Sequence, residues 1–365
     1  MTAYLIAARR TAVIPRGGAF QRLSIEDLGA PVLLACLADA GINAAQVDEV
    51  IVSNALGAGG NPARRVALAA GLPDRVAGLS TDRQCAGGLD ALILAGALVD
   101  SGLAEVVVAG GVESYSRRPI RLATSPGGGP PKAYDEAPFT PWPDRDPGMA
   151  EAAAALARRL GISRGEQDDW AVASHAKALK AAALPEIVPL GGQMRDAFAR
   201  ALTHALAARS PVITGTITSA NAAVAADAAA FVLVVSERIA RNALRVARLG
   251  PGLTLGGTPT EPGTAPIAAI ARVLSRAGLH PQHLAQAEIM EAYAVQAIAC
   301  VDGAGLDPVR VNPQGGALAR GHPIGASGAI LAVRLFHAMP SGTGLAAIAA
   351  AGGIGTALVI EASGA

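Results

Sequence analysis

Residues 80–111, "STDRQCAGGLDALILAGALVDSGLAEVVVAGG", decide the fold class of this chain. The small apolar residues in the middle predict a helix, and "AEVVVAGG" predicts a buried strand that stops at a Gly-Gly turn. The preceding stretch "VDEVIVSNAL" predicts another strand, which follows a helix expected over residues 28–40. Alternating helices and Val-rich strands are typical of βαβ units around a largely buried sheet. The sequence therefore predicts an α/β fold.

The last third of the chain repeats this alternation. It carries a helix expected over residues 267–277, the strand "AQAEIM", the helix "AVQAIACV" and a final apolar segment with a Gly-Gly turn. Both ends of the chain thus contain a glycine-rich turn that leads into a small-residue helix and then into a strand. This weak internal repeat indicates two similar βαβ halves.

Between these halves the sequence changes character. Residues 115–142 are dense in Pro and Gly, which predicts an irregular excursion over the surface. A helical pattern follows over residues 149–160. Ser163, with Glu166 three residues later, forms a capping box that predicts the start of the next helix. We therefore expect an inserted segment before the sheet-like sequence resumes at residue 228.

The composition argues against several classes of function. The 365 residues are 51% hydrophobic and 16% charged, with a net charge of +1. This length and apolar content are enough to build two domains or two fused halves. Such a chain lacks the basic surface that nucleic acids require. Its three widely spaced cysteines suggest neither a metal site nor a disulfide framework, and make the cytoplasm the expected location. Neither a signal peptide nor a membrane span is expected.

Cys85 is the first candidate for chemistry. It stands at the edge of the apolar pattern, at the start of the predicted helix and ahead of Gly87 and Gly88. The positive end of a helix dipole favours a thiolate, and free backbone N–H groups there can hold an oxyanion. The alternative is a small buried side chain with a structural role, which is common for cysteine.

His322 is the second candidate. It lies in the glycine-rich stretch "NPQGGALARGHPIGASG" of residues 312–328, where Pro323 restricts its backbone. A histidine on so constrained a turn is suited to act as a positioned base, or alternatively to cap a helix. A Cys/His pair brought together from two halves is the arrangement that activates a thiol nucleophile. The other five histidines are expected in solvated or capping roles: His175, His204, His280, His283 and His337.

With these segments in view, the chain resembles the thiolase family, which contains acetyl-CoA acetyltransferases and 3-ketoacyl-CoA thiolases. The segments "DRQCAGGLDA", "VVVAGGVESYS", "GISRGEQDDWAVASHAKA", "GTITSANAAVAADAAA" and "GGALARGHPIGASGA" stand in the family's order. The resemblance implies a five-layered αβαβα fold of two βαβαβαββ halves and a homodimer or homotetramer. The implied boundaries are 1–116 with 225–243 for the N-terminal half, 117–224 for a loop domain over the active site, and 244–365 for the C-terminal half.

The resemblance also implies roles for individual residues. Cys85 would take the acyl group from acyl-CoA, His322 would activate it, and the backbone N–H groups of Cys85 and Ala351 would hold the acyl oxyanion. Coenzyme A and acyl-CoA would be substrates, with no permanently bound cofactor and no metal. The positions implied to contact coenzyme A are Met149, Arg200 and Ala223, where Ala223 replaces a serine.

Two positions depart from the family pattern. Met290, in "MEAY", replaces an asparagine that fixes a water of the second oxyanion hole. Ala349, in "AIAAAGGIG", replaces the cysteine that moves the proton at the α-carbon when the C–C bond is made or broken. A thioether is a weak acceptor that donates nothing, and alanine carries no proton. The acyl-transfer half of the chemistry is therefore expected to survive, with the Claisen half impaired.

Three interpretations follow. The first is an acyl-CoA acyltransferase of acetyl-CoA C-acetyltransferase type that works through an acyl-enzyme on Cys85. The second is acyl transfer to an acceptor other than coenzyme A, or hydrolysis of acyl-CoA. The third is a non-catalytic subunit that binds coenzyme A and assembles with an active thiolase or a small accessory protein. Retention of both Cys85 and His322 argues against the third.

Overall fold

The computed structural model describes residues 2–57, 59–181 and 184–362 of the chain. The strands are β1 (Ala3–Arg10), β2 (Ile14–Pro15), β3 (Glu49–Ser53), β4 (Leu79–Thr81), β5 (Val106–Ser114), β6 (Arg121–Ala123), β7 (Lys132–Tyr134), β8 (Val212–Thr214), β9 (Ile217–Thr218), β10 (Ala226–Ser236), β11 (Ala247–Gly256), β12 (Gln286–Ile289), β13 (Gly342–Ala350) and β14 (Ile354–Ala362). The α-helices are α1 (Ile25–Ala40), α2 (Pro62–Ala69), α3 (Gly87–Asp100), α4 (Met149–Leu160), α5 (Arg164–Lys180), α6 (His204–Ala208), α7 (Glu237–Ala240), α8 (Ala265–Ala277), α9 (Ala294–Gly303), α10 (Ala317–Arg320) and α11 (Ile324–Ala338).

The two ends of the chain build the same sheet twice. In the N-terminal half the strand order is β4-β3-β5-β10-β1, with β3 parallel to β4 and β5 and the remaining pairs antiparallel. In the C-terminal half the order is β12-β13-β14-β11, with β12 and β13 parallel and the other pairs antiparallel. Strand β11 also pairs with β1, which joins the two halves edge to edge. Within the described chain, the counterpart of β4 is a single bridge between Ala287 and Val311. The predicted internal repeat is therefore present, but the turn expected at Gly110 and Gly111 is wrong, because β5 continues through both residues to Ser114.

The helices divide these sheets into five layers. Helices α1 and α2 cover the outer face of the N-terminal sheet, and α8 with α9 covers the outer face of the C-terminal sheet. Helices α3 and α11 lie between the two sheets and contact strands of both. Because helices cover both faces, β5 and β10 are buried along their whole length, which explains their continuous apolar sequences. The α/β class and the αβαβα layering expected from the sequence are confirmed.

The two central helices touch through their backbones. A Cβ on Gly88 would lie 2.8 Å from Ala329 N, and a Cβ on Gly328 would lie 2.5 Å from Leu89 N. No side chain fits in that space, so glycine is needed on both helices at the crossing. The crossing lies in the first turn of α3 and about one turn into α11, near the helix ends that follow Cys85 and His322 in the sequence.

The segment between β5 and β10 is only partly as expected. Helix α4 spans residues 149–160 as predicted, and Ser163 with Glu166 forms the predicted capping box of α5. Residues 115–142 are not wholly irregular, however, because β6 and β7 pair as an antiparallel hairpin with Arg121 opposite Tyr134. The Pro- and Gly-rich stretch supplies the connection of this hairpin and its flanks. The boundaries 1–116, 117–224, 225–243 and 244–365 stay predictions.

In the described part of the chain, no helix combines the length and the apolar character that crossing a bilayer requires.

Candidate active site

The thiol of Cys85 sits on a tight turn ahead of helix α3. Residues 84–86 form a single 3₁₀ turn, and Gln84 adopts a left-handed backbone conformation with φ of 49°. Asp82 supports this turn, because its Oδ1 accepts a hydrogen bond from Gln84 N at 2.9 Å. A non-glycine residue with positive φ is uncommon and concentrates at functional turns. The turn, with α3 behind it, places the Cys85 side chain on the wall of a cleft.

The imidazole of His322 faces this thiol. Cys85 Sγ lies 3.2 Å from His322 Nε2, as expected for a pair brought together from two halves. On the other side of the ring, Nδ1 lies 2.7 Å from the hydroxyl of Ser327, which donates to the Pro323 carbonyl at 3.0 Å. A hydroxyl has one proton, so Ser327 accepts from Nδ1–H when it donates to Pro323. Nε2 is then left with a lone pair directed at the thiol.

Burial keeps both groups neutral. It lowers the pKa of His322 to about 4. It also raises the pKa of Cys85 to about 12, against the smaller opposing effect of backbone N–H groups. Burial thus opposes the effect of the helix start, which favours a thiolate as expected from the sequence. The desolvation of a charged sulfur outweighs the helix end, and the thiol carries its proton until a reaction removes it.

Backbone donors reach the sulfur from two elements. The N–H groups of Cys85 itself and of Ala351 both interact with Sγ and lower its pKa. Ala351 follows β13 in a turn whose next two residues, Gly352 and Gly353, both have φ of 78°. That left-handed pair forms the turn that leads from β13 into β14. Two N–H groups beside one sulfur are the type of arrangement that can hold an oxyanion.

The buried carboxylate of Glu113 ties the two walls of this site together. Glu113 Oε2 accepts from Gly325 N in the first turn of α11 and from Ala55 N, both at 3.0 Å. Its Oε1 accepts from the Asn54 amide at 2.8 Å and from Leu56 N at 3.3 Å. Burial raises the pKa of Glu113 to about 7. The sequence analysis assigned no role to Glu113. A charged residue within an otherwise apolar strand is nevertheless a signal of a structural or functional role.

Glu291 is a second buried carboxylate with several hydrogen-bond donors, and it lies beneath the loop that carries His322. Its carboxylate accepts hydrogen bonds from Trp170 Nε1 at 3.1 Å and from Ser174 Oγ at 2.7 Å, both on α5. It also accepts from the Asn312 amide at 2.8 Å and from Leu318 N at 3.2 Å. One buried carboxylate thus fastens the inserted segment to the loop that carries His322.

A chain of six buried charges runs behind the same loop. Three guanidinium groups alternate with three carboxylates, with successive N–O distances of 2.7, 3.3, 2.9, 3.6 and 3.8 Å. Its members, in order, are Asp196, Arg10, Glu186, Arg334, Glu288 and Arg320. Arg320, two residues before His322, also donates to the Gly315 carbonyl at 2.5 Å. These six side chains link both halves and the inserted segment. The sequence alone did not predict their pairing, because the paired residues are far apart in sequence.

The cleft in front of Cys85 opens to solvent. Of the residues singled out from the sequence, Met149, Ala223, Ala349 and Ala351 line it together with Cys85 and His322. Met290 is not among the lining residues, since its side chain is 1% exposed and packs in the central core. Arg200 also lies elsewhere, exposed, with its guanidinium 4.3 Å from the ring centre of Phe198.

Two histidines depart from their expected solvated or capping roles. His175 is buried, its Nδ1 accepts from Arg200 N at 3.3 Å, and burial lowers its pKa to about 4. His337 donates from Nε2 to the Ala8 carbonyl at 2.6 Å. Both sit at contacts between distant segments, which a single sequence does not reveal. His280 and His283 cap a short turn as expected.

No group of three or more His, Cys, Asp or Glu side chains within residues 2–57, 59–181 and 184–362 is arranged to hold a metal ion.

Comparisons with known proteins agree with this architecture. Models of the N-terminal and C-terminal domains of thiolase match residues 3–238 and 244–362. The chain therefore belongs to the thiolase family, and the expectation of an acyltransferase is confirmed at the level of that family. An acetyl-CoA acetyltransferase of Cupriavidus necator is 38% identical over 386 residues, which cover 98% of each chain.

Two solved structures extend the match to the whole fold. The acetyl-CoA acetyltransferase of Bacillus anthracis superposes with a TM-score of 0.91 at 32% identity, covering 99% of each chain. The Acat5 thiolase of Ascaris suum, determined in complex with coenzyme A, has a TM-score of 0.92 at 29% identity over 100% of both chains.

Proposed function

We propose that this protein transfers acyl groups from acyl-CoA through a thioester on Cys85, with His322 as the general base. The 3.2 Å distance between Cys85 Sγ and His322 Nε2 is the observation that carries the proposal. Coenzyme A as substrate is supported by the acetyl-CoA acetyltransferase of Cupriavidus necator and by the Ascaris suum structure in complex with coenzyme A. No permanently bound cofactor takes part in this scheme.

In the first half-reaction Sγ attacks the thioester carbonyl while its proton passes to His322 Nε2. The new S–C bond forms, and the carbonyl oxygen becomes an oxyanion held by the N–H groups of Cys85 and Ala351. When the oxyanion collapses, the bond to the coenzyme A sulfur breaks and that sulfur takes the proton from the imidazolium. Because burial disfavours both ions in the free enzyme, the charge separation is made during the reaction itself.

We further propose that the carbon–carbon half of thiolase chemistry is impaired. That half needs a group that moves a proton at the α-carbon, and Ala349 lines the cleft with only a methyl group. It also needs a second oxyanion donor, whereas Met290 is buried in the core away from the cleft. Loss of one oxyanion donor costs about two to three orders of magnitude in rate. Loss of a positioned acid/base costs about two to four more, as a non-additive upper figure.

Binding of coenzyme A would use the inserted segment. Met149 and Ala223 line the cleft and are proposed to contact the pantetheine end. Arg200, exposed on the inserted segment, is proposed to lie near the nucleotide. A homodimer or homotetramer and a cytoplasmic location stay predictions from the resemblance and the composition.

The deciding experiment is the intact mass of the fresh protein after incubation with acetyl-CoA and short homologues. We expect the mass of one acyl group to be added, the adduct to map to Cys85, and C85S to abolish it. Cys36 and Cys300 are both fully buried and provide internal controls. Absence of any adduct, or an adduct on Cys36 or Cys300, would refute the proposal.

A second candidate is transfer to an acceptor other than coenzyme A, or hydrolysis of the acyl-enzyme. The methyl group at Ala349 favours it, because neither reaction needs a proton moved at the α-carbon. The acylated protein, separated from acyl-CoA, distinguishes these outcomes: decay in buffer alone indicates hydrolysis. Decay that requires an added amine or alcohol indicates another acceptor. A non-catalytic subunit predicts no acylation at all.

A further inference from the structure

An arginine without a charged partner lies on the wall of the catalytic cleft. Arg121 begins strand β6, is half-buried, and lines the same cleft as Cys85. One of its guanidinium nitrogens, Nη2, donates to the Ala55 carbonyl at 3.0 Å. Among the described residues, no carboxylate oxygen comes within the 4.0 Å of an ion pair. Its other N–H groups find no acceptor in this part of the chain.

The acidic residues nearby do not neutralise this charge. Asp135, which also lines the cleft, pairs with Arg118 at 2.8 Å, and Arg118 in turn lies 5.2 Å from the ring centre of Tyr115. Glu136 is exposed at the cleft and makes no ion pair with Arg121. This wall therefore presents the Arg121 guanidinium without an ion-pair partner, beside the exposed carboxylate of Glu136, whose charge raises the pKa of Tyr115 and of Tyr293.

A partly desolvated guanidinium is stabilised by a ligand that supplies the missing anion. Its planar fork of N–H groups matches a carboxylate, which can accept two parallel hydrogen bonds. Arg121 is hydrogen-bonded to Ala55, whose N–H binds Glu113, and the Glu113 charge acts on the Cys85 thiol. In acyl-CoA the pantetheine arm separates the phosphates from the thioester, so a cation held at the nucleophile's end of the cleft is placed for the acyl group. An acyl chain that ended in a methyl group would leave Arg121 without this compensation.

We infer that the preferred acyl group carries a carboxylate at its far end, so that the substrates are CoA thioesters of dicarboxylic acids. The inference rests on the proposed function, since the carboxylate is delivered by the acyl group that Cys85 accepts. Arg121 then determines specificity and takes no part in the bond changes at Cys85.

Succinyl-CoA and butyryl-CoA test the inference, because both carry four-carbon acyl groups and differ at the terminal group. The rate constant for acylation of Cys85 is measured by intact mass in single-turnover experiments. We expect succinyl-CoA to react about 10- to 100-fold faster than butyryl-CoA, the range of a charged hydrogen bond. In R121L the ratio should fall to about one through loss of succinyl transfer alone, and R121K should restore part of it. The matched control E136Q should leave the preference intact or raise it, because it removes a negative charge.

Several outcomes would overturn the inference. Equal rates with the two thioesters in the wild type would do so, as would a preference that survives in R121L. Slower acylation of R121L by both CoA thioesters, but not by the corresponding pantetheine thioesters, would assign Arg121 to a phosphate of coenzyme A. Failure of both thioesters to acylate Cys85 would be a different result, because it refutes the proposed function on which the inference rests.

Discussion

The hydroxyl of Ser327 lies 2.7 Å from His322 Nδ1 and fixes which nitrogen of that imidazole carries the proton. Ser327 stands in the first turn of α11 and donates to the Pro323 carbonyl one turn earlier. The helix that follows the histidine thus selects its tautomer, with no carboxylate in hydrogen-bond contact with the ring among the described residues. A neutral partner stabilises the imidazolium less than a carboxylate would, which agrees with a pair that stays neutral in the free enzyme.

This arrangement predicts the effect of S327A. The variant keeps the small side chain but removes the acceptor for Nδ1–H, so Nε2 presents its lone pair to Cys85 for a smaller fraction of the time. We expect acylation of Cys85 to slow about tenfold, the value of one hydrogen bond, with the melting temperature nearly unchanged. S327T, which keeps the hydroxyl, is the matched control. An unchanged acylation rate in S327A would mean that another group sets the tautomer.

The neutral pair predicts how the thiol responds to pH. With the pKa of Cys85 raised to about 12 and that of His322 lowered to about 4 by burial, the thiolate is scarce at pH 7. Alkylation of Cys85 by iodoacetamide, followed by peptide mass, should therefore be slow at pH 7 and rise steadily toward pH 10. A thiolate–imidazolium pair would instead give a rate that stays high from about pH 5 upward, and such a plateau would contradict this prediction.

The carboxylate of Glu113 predicts a stability effect that depends on pH. Its folded pKa of about 7 lies above the ordinary value, so stability should decline as the pH rises from about 4.5 through 7. E113Q should be less stable by about 2–4 kcal/mol. Each carboxylate oxygen accepts hydrogen bonds from two donors, whereas the side-chain amide of glutamine has only one oxygen that accepts them. E113Q should also lose the decline with pH.

Urea unfolding of E113Q between pH 5 and pH 8 measures both effects. The control is E105Q, which removes a carboxylate that pairs with Arg238 on the surface and should unfold like the wild type. A pH decline of equal size in E113Q and wild type would assign it to another group.

The buried charge chain predicts opposite outcomes for a single and a double substitution. R320L leaves three buried carboxylates with two guanidinium groups, Arg10 and Arg334, and should cost about 3–5 kcal/mol of unfolding free energy. R320L with E288Q removes both charges and should recover much of that loss. If the double variant unfolds at no higher denaturant concentration than R320L, Arg320 and Glu288 do not stabilise the fold through their charges. Chemical denaturation of both variants beside the wild type measures the difference.

The two replaced positions predict an uneven rescue of activity. In the wild type, exchange of acyl groups between thiols should be far faster than cleavage of acetoacetyl-CoA, because exchange needs only the nucleophile, the base and one oxyanion hole. Restoring M290N and A349C together should raise thiolysis more than exchange. Both rates are measured on one protein sample, so partial misfolding cancels. Wild-type thiolysis as fast as exchange would contradict the idea and point to another proton carrier, such as Tyr293, which lines the cleft.

The sequence predicted those features that depend on local patterns. The helix over residues 149–160, the Ser163 cap and the all-buried strand β5 follow from periodicity, capping chemistry and apolar runs, and the structure has them. The meeting of Cys85 and His322 could be anticipated because glycine-rich turns precede the central helices in both halves. These features need information from only a few neighbouring residues.

The features it did not predict depend on burial and on long-range contacts. The pKa of Cys85 is set by how completely the cleft wall excludes water, which only the assembled layers determine. The four donors to Glu113 come from two segments separated by more than 200 residues. The β6–β7 hairpin forms despite its Pro- and Gly-rich sequence, because those residues occupy its connection and flanks. The position of Arg121 on the cleft wall depends on this hairpin and could not be predicted from the sequence.

The close packing of α3 and α11 at Gly88 and Gly328 has a consequence for the spacing of the two reactive side chains. Since the nucleophile and the base precede two helices that touch backbone to backbone, their separation is set by the width of the helix crossing. Loops on the rim can then change in length and sequence, altering which acyl groups enter, without disturbing the thiol–imidazole distance. An added methyl group at either glycine would act as a wedge, spreading the two reactive atoms apart although it touches neither of them.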